Sequence, residues 1–190
     1  MSGRIKIYAR IRPTAAKDTT SYTINPDSKN FKIHVQNESR QNKTSHNVET
    51  SHSFKFDKVY DVHTNQQTIF NDLVLPSIKS SLSGYNTTVF AYGQTGSGKT
   101  FTITGGNTKY QDRGVIPRAL EHIFQNTDLE NTKVSVSYIE IYNENGYDLL
   151  DSRHDSQNTR SIKSNLPPGI ESFPKIKLYE DSEGSLLVKR

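Results

Sequence analysis

Apolar and polar positions alternate at the start of the chain. Ile5, Ile7, Ala9 and Ile11 fall on one side, and Lys6, Tyr8, Arg10 and Arg12 on the other. Period two with β-branched residues predicts a strand, stopped at Pro13. Residues 14–30 are polar and turn-rich, and 31–35 alternate again as a short strand. Residues 36–53 hold one apolar side chain, Val48, and predict a mobile polar loop or insertion. Phe54, Phe56 and Val59 then read as a brief apolar strand. Phe70, Leu73, Val74, Ile78 and Leu82 follow helical spacing. Thr64 and Gln67 fit a capping box ahead of that helix, Pro76 predicts a kink within it, and Gly84 predicts its end.

Residues 87–92 (TTVFAY) predict a short buried strand leading into a Gly-rich loop. Pro117 suits the first turn of a second helix bearing Leu120, Ile123 and Phe124. Residues 133–142 alternate as a strand, 151–168 form a polar loop, and 175–179 with 185–188 predict a hairpin. No internal repeat is present. Strands interleaved with helices argue an α/β sheet.

Composition narrows the classes. The chain has 190 residues, of which 32% are hydrophobic, while Asn, Ser and Thr together supply 54. A modest core with long polar loops is expected. Cysteine is absent, which excludes disulfides, thiol nucleophiles and cysteine-ligated metals. No stretch approaches the ~18 apolar residues of a membrane helix, and charges interrupt the N-terminus where a secretory signal needs its apolar run. The net charge of +4 suggests an acidic partner. Its distribution is uneven: net +6 over residues 1–60, +2 over 61–120 and −4 over 121–190. There is no basic run or aromatic–basic pattern of the kind that binds nucleic acid.

Residues 93–100, GQTGSGKT, match the phosphate-binding loop G-x-x-x-x-G-K-[ST]. Gly93, Gly96 and Gly98, with Gln94, Thr95 and Ser97 between them, offer successive backbone N–H groups as an anion nest at a helix start. Lys99 reaches phosphate oxygens as a point charge, and Thr100 offers a hydroxyl to Mg²⁺. The expected context is a strand before and a helix after. Asp181–Gly184 matches D-x-x-G but reads as a hairpin turn, and the N-K-x-D of GTPases is absent. Glu140 and Glu144 read as solvated or structural carboxylates. The six histidines are scattered and suggest no zinc site.

Residues 85–106, YNTTVFAYGQTGSGKTFTITGG, closely resemble the nucleotide loop of kinesin motor domains. Arg10-Ile11-Arg12-Pro13, FKFDKVYD at 54–61, DRGVIPRAL at 112–120 and SYIEIYNENGYDLLD at 137–151 match further motifs in the family's order. GYDLLD with FTITGG is most similar to kinesin family nine, a class associated with cilia and flagella. The resemblance implies a P-loop NTPase-type α/β fold, a three-layer sheet with helices on both faces. It implies that Arg10, Arg12 and Pro13 contact the base of ATP or ADP and that Phe101 lies beside it, where many kinesins place Tyr or His. It implies Lys99 and Thr100 as phosphate and Mg²⁺ contacts, microtubules as partner, and a location in the cytoplasm on the cytoskeleton, with a cilium or flagellar axoneme open. Neither nucleic acid nor a membrane is an expected partner, and a homodimer would form through other segments. Lys175, Lys177, Lys189 and Arg190 are candidate tubulin contacts.

The resemblance covers the whole chain but about the first half of a kinesin motor. The motifs N-x-x-S-S-R-S-H and D-x-A-G-S-E, which position the attacking water and sense the γ-phosphate, are absent. The expectation is therefore the N-terminal part of a motor that hydrolyses Mg-ATP when complete. The alternative is a truncated, non-catalytic nucleotide-binding module on microtubules.

Overall fold

The structure, a computed structural model, describes residues 4–13, 21–25, 27–36, 49–150, 175–180 and 186–189. The chain divides into two compact units, Met1–Asp128 and Leu129–Arg190.

In the first unit, strand β1 (Tyr8–Arg10) pairs in parallel with β5 (Lys58–Tyr60), Ala9 opposite Val59. Val59 and Tyr60 are buried, and Tyr8 stacks on Tyr60 with ring centroids 6.2 Å apart. Burial raises both phenols above the ordinary tyrosine value. β1 is shorter than the alternation over 4–12 suggests, and Ile5 and Ile7 stand exposed ahead of it.

A separate antiparallel sheet runs β2 (Tyr22–Ile24), β3 (Asn30–Gln36), β4 (Glu49–Lys55). Here the reading of 36–53 as a loop is corrected. Gln36 pairs with Glu49, and residues 49–53 belong to a full strand; only 37–48 lie outside the described residues. The strand ETSHSFK is polar, so hydropathy gave no signal. Its order comes from the backbone ladder with β3, which needs no apolar side chain.

The helical layer starts at Asn65, whose Oδ1 accepts the N–H of Thr68 at 2.8 Å. Thr64 is therefore not the cap; its hydroxyl donates to Asp61 one turn earlier. α1 (Gln66–Ile69) passes into a π turn (Phe70–Val74) and then α2 (Leu75–Leu82). The kink expected from Pro76 takes this form. A proline removes one N–H and crowds the carbonyl four residues back, and the wider π turn accommodates both. α2 ends in a Schellman arrangement: Gly84 at φ 93°, its N–H on the Ser81 carbonyl and the Tyr85 N–H on that of Ser80.

Phe70, Val74 and Ile78 form the buried cluster, with Leu73, Leu75, Val115, Ala119 and Ile123 against it. The last three belong to α4 (Val115–Gln125), so two helices share this core as the 3.6-residue spacing of each requires. Phe124, expected on that face, is exposed. A cavity of about 260 Å³ remains between α2 and α4, bounded also by Thr87 and Val89.

Residues 87–92 are not a strand. They form no ladder among the described residues, and Phe90 and Tyr92 are 75% and 95% exposed. An apolar run becomes a central parallel strand only when neighbours on both edges take its N–H and C=O groups. No described strand lies alongside this one.

In the second unit, β6 (Ile139–Tyr142) and β7 (Asn145–Asp148) make a hairpin. Its two-residue turn has positive φ at Asn143 (46°) and Glu144 (61°), the signature of a type I′ turn matched to strand twist. Residues 133–138, expected to extend this strand, carry no ladder among the described residues. β8 (Lys175–Glu180) pairs with β7 and β9 (Leu186–Lys189) with β8, all antiparallel. The hairpin expected at 175–188 is thus present. Its turn, the loop at 151–168 and Arg190 lie outside the described residues. Tyr147 and Ile176 form the buried centre of this sheet.

Candidate functional site: a phosphate-type loop beside an arginine–phenylalanine platform

The loop 93–98 delivers the chain into α3 (Lys99–Ile103). Gly93, Gly96 and Gly98 have φ of 153°, 81° and 99°. These angles are open to glycine and strained for other residues, so the spacing of the motif is a backbone requirement. Gly98 is the N-cap, and the N–H groups of the first turn face out of the helix start without intrahelical acceptors. Lys99 Nζ donates to the carbonyls of Gly93 and Gln94, each at 2.8 Å, so the ammonium lies over the loop itself. Ser97 is half-buried and its N–H closes the loop on the Gln94 carbonyl at 3.2 Å. Gln94, Thr95 and Thr100 are exposed. An N–H nest, a cation and an exposed hydroxyl together fit a phosphate chain with its magnesium ion.

Arg12 donates to the carbonyl of Gly96, tying the segment after β1 to the loop. Arg10 Nη1 donates to Thr102 Oγ1 at 2.8 Å and Gln66 Oε1 at 2.9 Å. Its guanidinium carbon lies 5.3 Å from the centroid of the Phe101 ring, cation–π geometry. Burial holds Arg10 below the ordinary arginine value. Phe101 keeps 41% of its surface exposed, which leaves a flat apolar face open to a ligand. Pro13 is exposed past the end of β1. The structure thus brings together Arg10, Arg12, Phe101 and the loop residues.

Three polar contributors escaped the sequence reading. Gln66, 5% exposed, donates from Nε2 to the carbonyls of Phe101 (2.6 Å) and Asp112 (3.1 Å). Thr102 anchors Arg10 while donating to the Gly98 carbonyl at 2.9 Å. Buried Arg118 donates to the carbonyls of Arg113 and Gln111 and to Gln67 Oε1, so Gln67 braces an arginine and does not complete a capping box. A polar pair next to a helix cap gave no hint of these partners, which lie 35 to 56 residues away. The loop 104–114 closes through a bridge between Gly105 and Arg113, and Arg113 stacks 3.6 Å over Tyr110 and pairs with Glu121 at 2.6 Å. The hydrogen bonds from Arg113 and Tyr110 hold the Glu121 carboxyl below its usual value.

An α/β fold with a Gly-rich loop capping a helix, flanked by a cation and a ring, defines the P-loop nucleotide-binding class. The kinesin motor domain model matches residues 10–188, and the chain belongs to that family. It is 41% identical over 149 residues to Kinesin-like protein KLP1 of Chlamydomonas reinhardtii and 37% identical over 150 residues to Kinesin-like protein KIF9 of Mus musculus. Each match covers 77% of this chain and 19% of the relative. A solved structure of a fast kinesin superposes with a TM-score of 0.67 at 29% identity, covering 97% of this chain and 46% of that one. The α/β P-loop NTPase fold expected from the motifs is therefore borne out. The chain spans less than half of the solved motor and under a fifth of these curated relatives.

Proposed function

We propose that this chain is the ATP-binding part of a microtubule-based kinesin motor, which hydrolyses Mg-ATP as a whole protein. The carrying observation is the Gly93–Thr100 loop, with its left-handed glycines, its helix start and Lys99 over it, next to the Arg10–Phe101 platform. The loop N–H groups and Lys99 bind phosphate oxygens, Thr100 supplies the magnesium contact, and Arg10, Arg12, Pro13 and Phe101 receive the base. Bound magnesium would screen phosphate charge and brace the leaving group. No residue of this chain is assigned to activate water. The structure of the fast kinesin has implications for its ATPase mechanism and interactions with microtubules, which supports ATP and microtubules as the ligand and partner here.

The wording FTITGG and GYDLLD, with the similarity to KIF9, supports kinesin family nine and a ciliary or flagellar site of action. Lys175, on β8, and Lys177 and Lys189, register partners across β8 and β9, are tubulin-contact candidates with Arg190. The test is phosphate release by the intact protein with and without microtubules. Stimulated release that disappears in Lys99→Ala supports the reading. Release indifferent to both microtubules and Lys99 sinks it.

A further inference from the structure

Gln66 is one of three polar or charged side chains buried among the described residues, and both ends of its carboxamide are hydrogen-bonded. Oε1 accepts from Arg10 Nη1 at 2.9 Å, and Nε2 donates to the carbonyls of Phe101 at 2.6 Å and Asp112 at 3.1 Å. One end therefore grips the guanidinium and the other grips the backbone of the residue whose ring lies beneath it. Arg10 comes from β1 and Phe101 from α3, and they lie 5.3 Å apart. Nη1 of Arg10 is held by two acceptors, the Thr102 hydroxyl of Phe101's own helix and the Gln66 amide, and of the two only the amide also grips the Phe101 carbonyl. A carboxylate here would aim oxygen at two carbonyl oxygens, an apolar side chain would leave those acceptors and the guanidinium short of partners, and Asn would be one methylene short.

We infer that Gln66 is a positioning residue for nucleobase recognition. It holds Arg10 over Phe101 so that the platform can receive a flat heteroaromatic ring, and it takes no part in holding phosphate. This inference rests on the nucleotide reading above.

The test uses the intact protein and two competitors of a fluorescent ATP analogue: ATP and inorganic tripolyphosphate, which has the phosphates but no base. Wild-type protein that binds neither overturns the nucleotide reading itself, and this inference with it. Given wild-type binding, Gln66→Met is expected to weaken ATP about tenfold and tripolyphosphate less than about twofold. Arg10→Ala should show the same selectivity, and the double variant should bind ATP no worse than Arg10→Ala alone, because Gln66 acts through Arg10. Equal weakening of both competitors, or additive losses of ATP affinity in the double variant, overturns the inference, since a merely structural role gives those results. If Gln66→Met proves too unstable to purify, Gln66→Asn carries the same test: a selective loss of ATP supports the inference and an unchanged ratio overturns it.

Discussion

Lys99 Nζ donates to two carbonyls of its own loop at 2.8 Å, an arrangement that holds a positive charge over the loop at the start of α3. Removing it takes away the cation at the helix start and leaves Arg12, on the Gly96 carbonyl, as the other charge at the loop. Lys99→Ala should weaken ATP binding about 100-fold, equivalent to about 2.7 kcal/mol, in a nucleotide titration of the intact protein. An unchanged dissociation constant would show that the loop is not the site. Asp57 gives a second prediction at this scale. The Ile7 N–H donates to it at 2.8 Å and Arg4 pairs with it, and that hydrogen bond, before the arginine, holds its carboxyl below the usual aspartate value. Because the folded-state value is the lower one, the stability Asp57 contributes is present above the unfolded value of about 3.9 and is lost as pH falls through the folded one. Urea midpoints measured from about pH 5 downward should therefore fall less steeply in Asp57→Asn than in wild type. Parallel slopes would remove Asp57 from the acid response.

Among the elements, the packed pair of helices α2 and α4 depends on its ends as much as on its core. Asn65 satisfies the Thr68 N–H at the start of α1, and Asn65→Ala should cost about 1 kcal/mol in chemical denaturation. At the other end Gly84 sits at φ 93° with open space around the position of a Cβ, so the cost of a side chain there is conformational alone. Gly84→Ala should lower stability by about 1 kcal/mol without disturbing packing. A neutral result would mean that the Schellman turn does not persist in solution. Pro76 and the π turn before it were half visible in advance: the proline announces an irregularity, but which irregularity depends on how Phe70, Val74 and Ile78 reach the shared core.

For the molecule as a whole, the apolar inventory is unbalanced. Eight hydrophobic side chains are buried among the described residues, while Ile5, Tyr85, Phe90 and Tyr92 of the first unit are between 64% and 95% exposed. Large exposed apolar side chains favour association. The 190-residue chain expressed alone should therefore bind an apolar-surface dye and scatter light on concentration. A Phe90→Ser, Tyr92→Ser double variant should reduce both signals with little change in melting temperature, since neither ring is packed. Dye binding and scattering unaffected by the double change would place the sticky surface elsewhere.

Local chemistry was readable from the chain by itself. A phosphate-type loop needs glycines where φ is positive and a lysine at the helix start, and GQTGSGKT states those needs in eight consecutive residues. The amphipathic spacing of 70–82 and the hairpin at 175–188 were legible for the same reason: each is fixed by neighbours a few residues away. The polar strand β4, the unpaired segment 87–92 and the carboxamide of Gln66 were not. Strand status depends on who lies alongside, and a buried amide is defined by partners that the fold brings from 35, 46 and 56 residues away. The sequence determined which groups could meet a phosphate chain and, at Gly84, where α2 ends, while it put the start of α1 at Thr64 when Asn65 is the cap. Tertiary structure alone decided which backbone edges found a ladder, and that Arg10 and Phe101, distant along the chain, form a single surface, because hydrogen bonds and ring contacts act through space without regard to chain separation.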